Sequence, residues 1–144
     1  MSNLKSVRSD IFYKMVNHQP VDLTVTLEGT GAATAVLLGK QIIVTLAAAQ
    51  SGKYVNISTP IGFRVINAHS IHSDGVASTW QLANTTDAIC TAVVMAASDT
   101  DIDVPVDIDD AYSAFLRGDD DLRLIISVAA ANAVIVIDIE PTIA

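Results

Sequence analysis

A chain of 144 residues has the length of a single domain, enough to bury roughly two-thirds of the surface that its unfolded form exposes. Apolar residues at 51% and charged residues at 17% exclude intrinsic disorder, and aromatics at only 5% leave Val, Ile, Leu and Ala to build the core, the material of close-packed strands. The net charge of -8 is uneven: Lys5, Arg8 and Lys14 against Asp10 make residues 1–20 about +2, which leaves about -10 for the rest, where Lys40, Lys53, Arg64, Arg117 and Arg123 lie too far apart for the clustered phosphate contacts of a nucleic-acid binder.

Residues 1–20 mix these charges with Ile11, Phe12, Tyr13, Met15 and Val16 and stop at Pro20, which removes a donor and holds Gln19 extended. The apolar cluster is too short to stand as an isolated helix, so an N-terminal arm is expected that orders only on a partner surface; the alternative is that it packs back on its own sandwich and covers an exposed edge strand. Met1 to Asp10 lacks the apolar stretch of a secretory signal, and no apolar run approaches the ~18 residues of a membrane helix; the expectation is a soluble protein made in the cytoplasm, with no membrane partner.

From Val21 the period becomes two. Leu23, Val25 and Leu27 alternate with Asp22, Thr24, Thr26 and Glu28, which predicts one half-buried strand ending at Gly29-Thr30-Gly31. Ala33 to Leu38, Gln41 to Ala47, Lys53 to Ser58 and Phe63 to Ser70 repeat the scheme, followed by Thr79 to Leu82 and Ile89 to Met95. Short strands at such intervals predict a sandwich or barrel over residues 21–144.

Nine aspartates then crowd Asp99 to Asp121, interrupted by Ala111-Tyr112-Ser113-Ala114-Phe115-Leu116-Arg117-Gly118. This predicts a solvated acidic loop with one short helical turn, capped by Asp109 or Asp110 and ended by Gly118. Asp99-Thr100-Asp101-Ile102-Asp103 begins like a calcium loop, but Val104 stands where the turning Gly belongs and no Glu closes the frame, so no metal is expected. Leu122 to Val128 and Ala133 to Ile139 are the last two strands. Their reverse faces carry Ile125, Val134 and Val136, an apolar surplus that predicts a subunit interface, with Trp80 as a core or interface anchor.

Catalytic chemistry finds no foothold. His69 and His72 are three apart and face opposite sides of a strand, Cys90 lies among small apolar residues as a buried thiol, and Ser, His and Asp lack the context of a triad. No cofactor and no enzymatic activity are expected.

Gly62-Phe63-Arg64-Val65-Ile66, Trp80-Gln81-Leu82-Ala83-Asn84-Thr85-Thr86-Asp87-Ala88-Ile89, Asp107-Ile108-Asp109-Asp110-Ala111-Tyr112, Gly118 and Asp121-Leu122-Arg123-Leu124 follow one another in an order that resembles tailed-phage head decoration and head-fibre proteins. The resemblance covers about residues 55–140. It departs from the pattern in the acidity of Asp99 to Asp110 and in Phe115-Leu116-Arg117, and it does not extend to residues 1–54. It implies an all-β, jelly-roll-like antiparallel sandwich that assembles as a homotrimer on the exterior of a phage capsid, with the major capsid protein as partner. Lys5, Arg8, Ile11, Phe12, Tyr13, Lys14, Met15 and Val16 of the arm would then dock on the capsid. A receptor- or glycan-binding module of the same fold is the alternative.

Overall fold

A computed structural model describes residues 4–29, 31–48, 54–72, 77–97, 102–109, 111–115, 121–126 and 133–142. Among these described residues one helix, α1 (Leu4–Val16), precedes twelve strands: β1 (Val21–Leu23), β2 (Val25–Glu28), β3 (Ala32–Leu38), β4 (Gln41–Ala48), β5 (Tyr54–Ile57), β6 (Phe63–His72), β7 (Ser78–Ala83), β8 (Val93–Met95), β9 (Ile102–Asp103), β10 (Ala114–Phe115), β11 (Leu122–Ile126) and β12 (Ala133–Pro141). All pairings are antiparallel, in two packed sheets, so the protein is an all-β sandwich.

The first sheet runs β1-β3-β4-β12-β6-β10 with β9 also on β6, and the second runs β2-β5-β11-β7-β8. Setting aside β1, β2, β3 and β9, the eight remaining strands, counted along the chain, stand in the order 1-8-3-6 in one sheet and 2-7-4-5 in the other. That is the jelly-roll arrangement, in which every connection among these strands except that from β7 to β8 carries the chain from one sheet to the other. The additional strands β1 and β3 widen the first sheet beyond β4, and β2 widens the second beyond β5.

Alternation fills the space between the sheets. Ile135, Ile137 and Ile139 of β12 and Ile42, Val44 and Leu46 of β4 point inward against Val55 and Ile57 of β5 and Leu122, Leu124 and Ile126 of β11, all at most 1% exposed. Phe63 and Phe115, register partners on β6 and β10, stack at 5.1 Å. A polar staple crosses the core: Trp80 Nε1 on β7 donates to Ser70 Oγ on β6 at 2.8 Å, both residues fully buried.

Four local expectations are corrected. Val21 to Glu28 is two strands, because the chain crosses from the first sheet to the second at Thr24, whose carbonyl accepts from Ser58 N at 3.0 Å. Leu23, Val25 and Leu27 face the interior on both sides of the crossing, so the alternation is unbroken while the partner changes. The predicted strand from Ile89 shortens to Val93–Met95, since Ala88 and Cys90 make only isolated bridges, to Ala83 and Ile108. The helical turn expected within 109–117 is not formed by the described residues there. Asp109 Oδ1 accepts from Ala111 N at 2.8 Å in a turn that closes at Tyr112, and Ala114–Phe115 is strand. The pull of Phe115 into the core decides this, together with Val65 N donating to Ser113 O at 2.9 Å; Gly118 lies outside the described residues.

The fourth correction concerns the arm, which is a helix docked on its own sandwich. Ile11 and Met15, one turn apart on one stripe, join the core cluster at 6% exposure each, with Phe12 packed beside them. His18 N bonds to Met15 O at 3.2 Å and Gln19 N to Lys14 O at 2.8 Å, closing a Schellman motif in which His18 takes the left-handed conformation (φ 53°). The His18 ring rests on Gly39, the left-handed residue of the two-residue β3–β4 turn; a Cβ at Gly39 would stand 3.1 Å from His18 Nδ1. Helix end and hairpin turn therefore fix one another.

Candidate interaction surfaces

The outer faces of the two sheets differ in kind. On the second sheet, cross-strand register places Thr26, Asn56 and Arg123 in one row and Glu28, Tyr54, Ile125 and Gln81 in the next. Arg123 Nε donates to Asn56 Oδ1 at 2.9 Å, its other nitrogens reach Glu28 Oε2 at 3.5 Å and Thr85 O at 3.4 Å, and its guanidinium lies 4.1 Å over the Tyr54 ring. Asn56 Nδ2 donates in turn to Glu28 Oε2 at 3.0 Å. These groups satisfy one another, and the ring face that a sugar would stack on is occupied by the arginine.

On the first sheet the outward rows are Asp22-Val36-Ile43-Val136-His69 and Thr34-Thr45-Val134-Ile71-Ile102. Val36, Ile43, Val134 and Val136 are half-buried by their neighbours, whereas Ile71 (45%) and Ile102 (62%) are exposed. Beyond them, Ile66 stands at a bulge where β6 slips register against Asp138 and Ile139, and it shares a groove of about 400 Å³ with Arg64, Pro105 and Val106.

These positions revise the predicted interface. Ile125 lies on the outer face of the second sheet while Val134 and Val136 lie on the outer face of the first, so the three cannot form one patch. Trp80 is fully buried within the single chain and bonded to Ser70, which makes it a core residue and not a subunit contact. Parity along β11 and β12 was readable; which sheet each strand joins was not.

The arm residues divide likewise. Ile11 and Met15 are spent on the core, Phe12 is half-buried, and Lys14 pairs with Asp10 at 3.5 Å. Tyr13 and Val16 remain exposed at 62% and 79%. Lys5 and Arg8 fall in the first two turns of α1, and their side chains lie outside the described residues.

The acidic segment is partly ordered by the fold. Asp109 N donates to Ile89 O at 2.6 Å and Ile108 bridges Cys90, which ties this stretch to the chain beyond β7. Asp107 and Asp109 are exposed and Asp103 is half-buried; Asp99, Asp101 and Asp110 lie outside the described residues. Among the described residues no three His, Cys, Asp or Glu side chains converge as metal ligands. On β6, His69 faces outward and His72 inward, where His72 Nδ1 lies 3.3 Å from Ala96 O and Nε2 meets no partner among the described residues. The Cys90 thiol is buried; desolvation raises its pKa against the smaller lowering effect of the bond from Leu82 N at 3.4 Å, so it is held protonated and unreactive.

The motifs behind the family resemblance prove to be strand and turn formers. Phe63 to Val65 open β6, Trp80 to Ala83 lie in β7, and Leu122 to Leu124 in β11. Asn84 Oδ1 organises the intervening turn by accepting from Asp87 N at 2.7 Å and Thr86 N at 2.9 Å. Comparison of the chain with protein-family models, with curated proteins and with solved structures finds no match.

Proposed function

We propose that the protein is a structural component of a phage virion, a jelly-roll sandwich that decorates and reinforces the capsid exterior as a homotrimer. The observation that carries the reading is the strand order 1-8-3-6 facing 2-7-4-5, with the residues of the family resemblance serving as its strands and turns in the expected sequence. An exterior with one self-satisfied polar face and one apolar face suits a protein that meets other protein on one side and solvent on the other. The docked helix narrows the capsid contact. Ile11 and Met15 are unavailable, which leaves the basic start of α1, with Lys5 and Arg8, and the exposed Tyr13 and Val16 of its last turns to meet the lattice. Docking through this end needs no ordering of a free arm and so avoids the cost, about 2–5 kcal/mol, that a disordered anchor bears.

The test is co-sedimentation with empty capsids assembled from the major capsid protein of the same genome. Saturable binding at a fixed ratio to capsid subunits, weakened at least tenfold by Lys5→Glu with Arg8→Glu, is the expected result. No binding by the wild-type protein would discard the decoration role and turn attention to receptors or glycans.

A further inference from the structure

One row on the outer face of the first sheet is apolar in the middle and polar at both ends. Register sets Asp22, Val36, Ile43, Val136 and His69 side by side across β1, β3, β4, β12 and β6. Asp22 is exposed, the other four are half-buried, and β4, which carries Ile43, is the middle strand of the five. The row is thus an acid, three aliphatic side chains and an imidazole. Among the described residues neither the Asp22 carboxylate nor the His69 ring has a hydrogen-bond or ion-pair partner, whereas the polar groups of the second sheet are paired with one another. Asp138, one row along, already accepts from Gln41 Nε2 at 2.9 Å.

An occupant of this row must offer a donor to Asp22, a carboxylate to His69 and aliphatic side chains between them. A second copy of the same row, turned by a half-rotation about the direction of β4, offers them in that order. The rotation lays Asp22 over His69 of the second copy, Val36 over Val136 and Ile43 over its own image, and in the next row Thr34 over Val134 and Thr45 over its own image. A half-rotation about an axis across the strands would instead set Asp22 on Asp22, an unfavourable pairing of like charge. The size is adequate. Five strands spaced at about 4.8 Å and the eight residues of β4 at about 3.4 Å each give a face of roughly 24 by 27 Å. That is at most about 650 Å² per copy and about 1,300 Å² in all, which reaches the range of specific interfaces, about 1,200–2,000 Å².

We infer that two copies of the chain meet face to face through the first sheet about a two-fold axis along β4, with Asp22 of each accepting from the His69 ring of the other and Val36, Ile43 and Val136 closed between these two pairs. At the usual sheet-to-sheet spacing of about 10 Å the side chains of the two faces interdigitate. The contact goes beyond the proposed homotrimer. It joins chains in pairs, one from each of two trimers where trimers form, and it does not depend on the virion reading.

Native mass measurement at high micromolar concentration, joined to cross-linking, tests it. Wild-type protein should hold an even number of chains: two, or six where trimers pair. His69→Asp sets carboxylate against carboxylate at both ends of the row and should weaken the pairing at least about tenfold. Adding Asp22→Lys to that variant restores opposite partners and should return the wild-type mass, and a thermal melt checks that both proteins are folded. Because Ile43 faces its own image, Ile43→Cys in a Cys90→Ala background should be joined to itself by a short bifunctional maleimide as a covalent dimer. Thr26→Arg, on the outer face of the second sheet, should leave the mass unchanged. Wild-type protein that is monomeric or holds an odd number of chains overturns the proposal. So does His69→Asp that keeps the wild-type mass, a folded double variant that stays dissociated, Ile43→Cys that does not cross-link, or dissociation by Thr26→Arg. A protein that pairs as expected but never binds capsids leaves this contact standing and removes the decoration role.

Discussion

The docking of α1 is the structural feature most open to measurement, through Ile11→Ala and Met15→Ala. Each side chain is 6% exposed, and burying one contributes about 1.5–3 kcal/mol. Core truncations of this type cost about 2–5 kcal/mol once the cavity is included, and a helix at the margin of a sandwich can settle into the space, so about 2 kcal/mol each is expected. The double variant should lose about 3–4 kcal/mol and no more, because the loss saturates when the helix detaches while the sandwich stays folded. For a chain of this size each single change corresponds to a fall of roughly 4–8 °C in Tm. Tyr13→Ala and Val16→Ala, at 62% and 79% exposure, serve as controls and should stay within about 0.5 kcal/mol. Urea unfolding followed by fluorescence of Trp80, the one Trp of the chain and fully buried, reads the sandwich, and far-ultraviolet dichroism reads the helix. If Ile11→Ala and Met15→Ala unfold like the wild type, α1 does not rest on the sandwich and the arm returns to being free.

Three further outcomes are expected. A double-mutant cycle on Trp80→Phe and Ser70→Ala should give a coupling of about 1 kcal/mol from the buried bond at 2.8 Å; additivity within ~0.3 kcal/mol would mean that the two sheets are not joined there. Cys90 titrates higher in the folded than in the unfolded chain because burial disfavours its thiolate, so the unfolded state sheds that proton first as pH rises. Stability should lose this contribution above the ordinary thiol pKa of about 8.5 and be insensitive to it below, which Cys90→Ala compared with wild type across that range checks by the disappearance of the alkaline fall. Thr34→Arg and Thr26→Arg place the same cation on exposed positions of opposite outer faces, and only Thr34→Arg is expected to alter the oligomer or capsid co-sedimentation; the reverse result would show that the second sheet is the contact face.

What could be read from the sequence follows from what each element depends on. Strands β3, β4, β6, β11 and β12 are long and alternate, and their inward positions were legible to within a residue or two because a register slip would turn every apolar side chain to solvent. The two-residue strand β10 has no local signature; it exists because Phe115 stacks on Phe63, a contact between residues 52 apart in the chain. Among the described side chains of α1, Ile11 and Met15 are buried in the core with Phe12 packed beside them, and the helix end is set by a left-handed His18 where the usual signal is Gly. Asn17-His18 immediately before Gln19-Pro20 was the available clue, since a helix stop is often followed by proline. The groove between Ile66 and Val106 has no local signature either, since it exists only because β9 lays the acidic segment along β6.

The distribution of surface chemistry bears on how such a molecule would sit in an assembly. In the second sheet the outward polar groups are already paired, Arg123 with Asn56, Glu28 and the Tyr54 ring, so covering this face would remove water without offering new bonds in return. In the first sheet the outward rows are largely aliphatic, and burying them removes apolar surface from water at about 25 cal/mol per Å² with few polar groups to desolvate. Contact through the first sheet and its corner is thus favoured over contact through the second, independently of what the partner is.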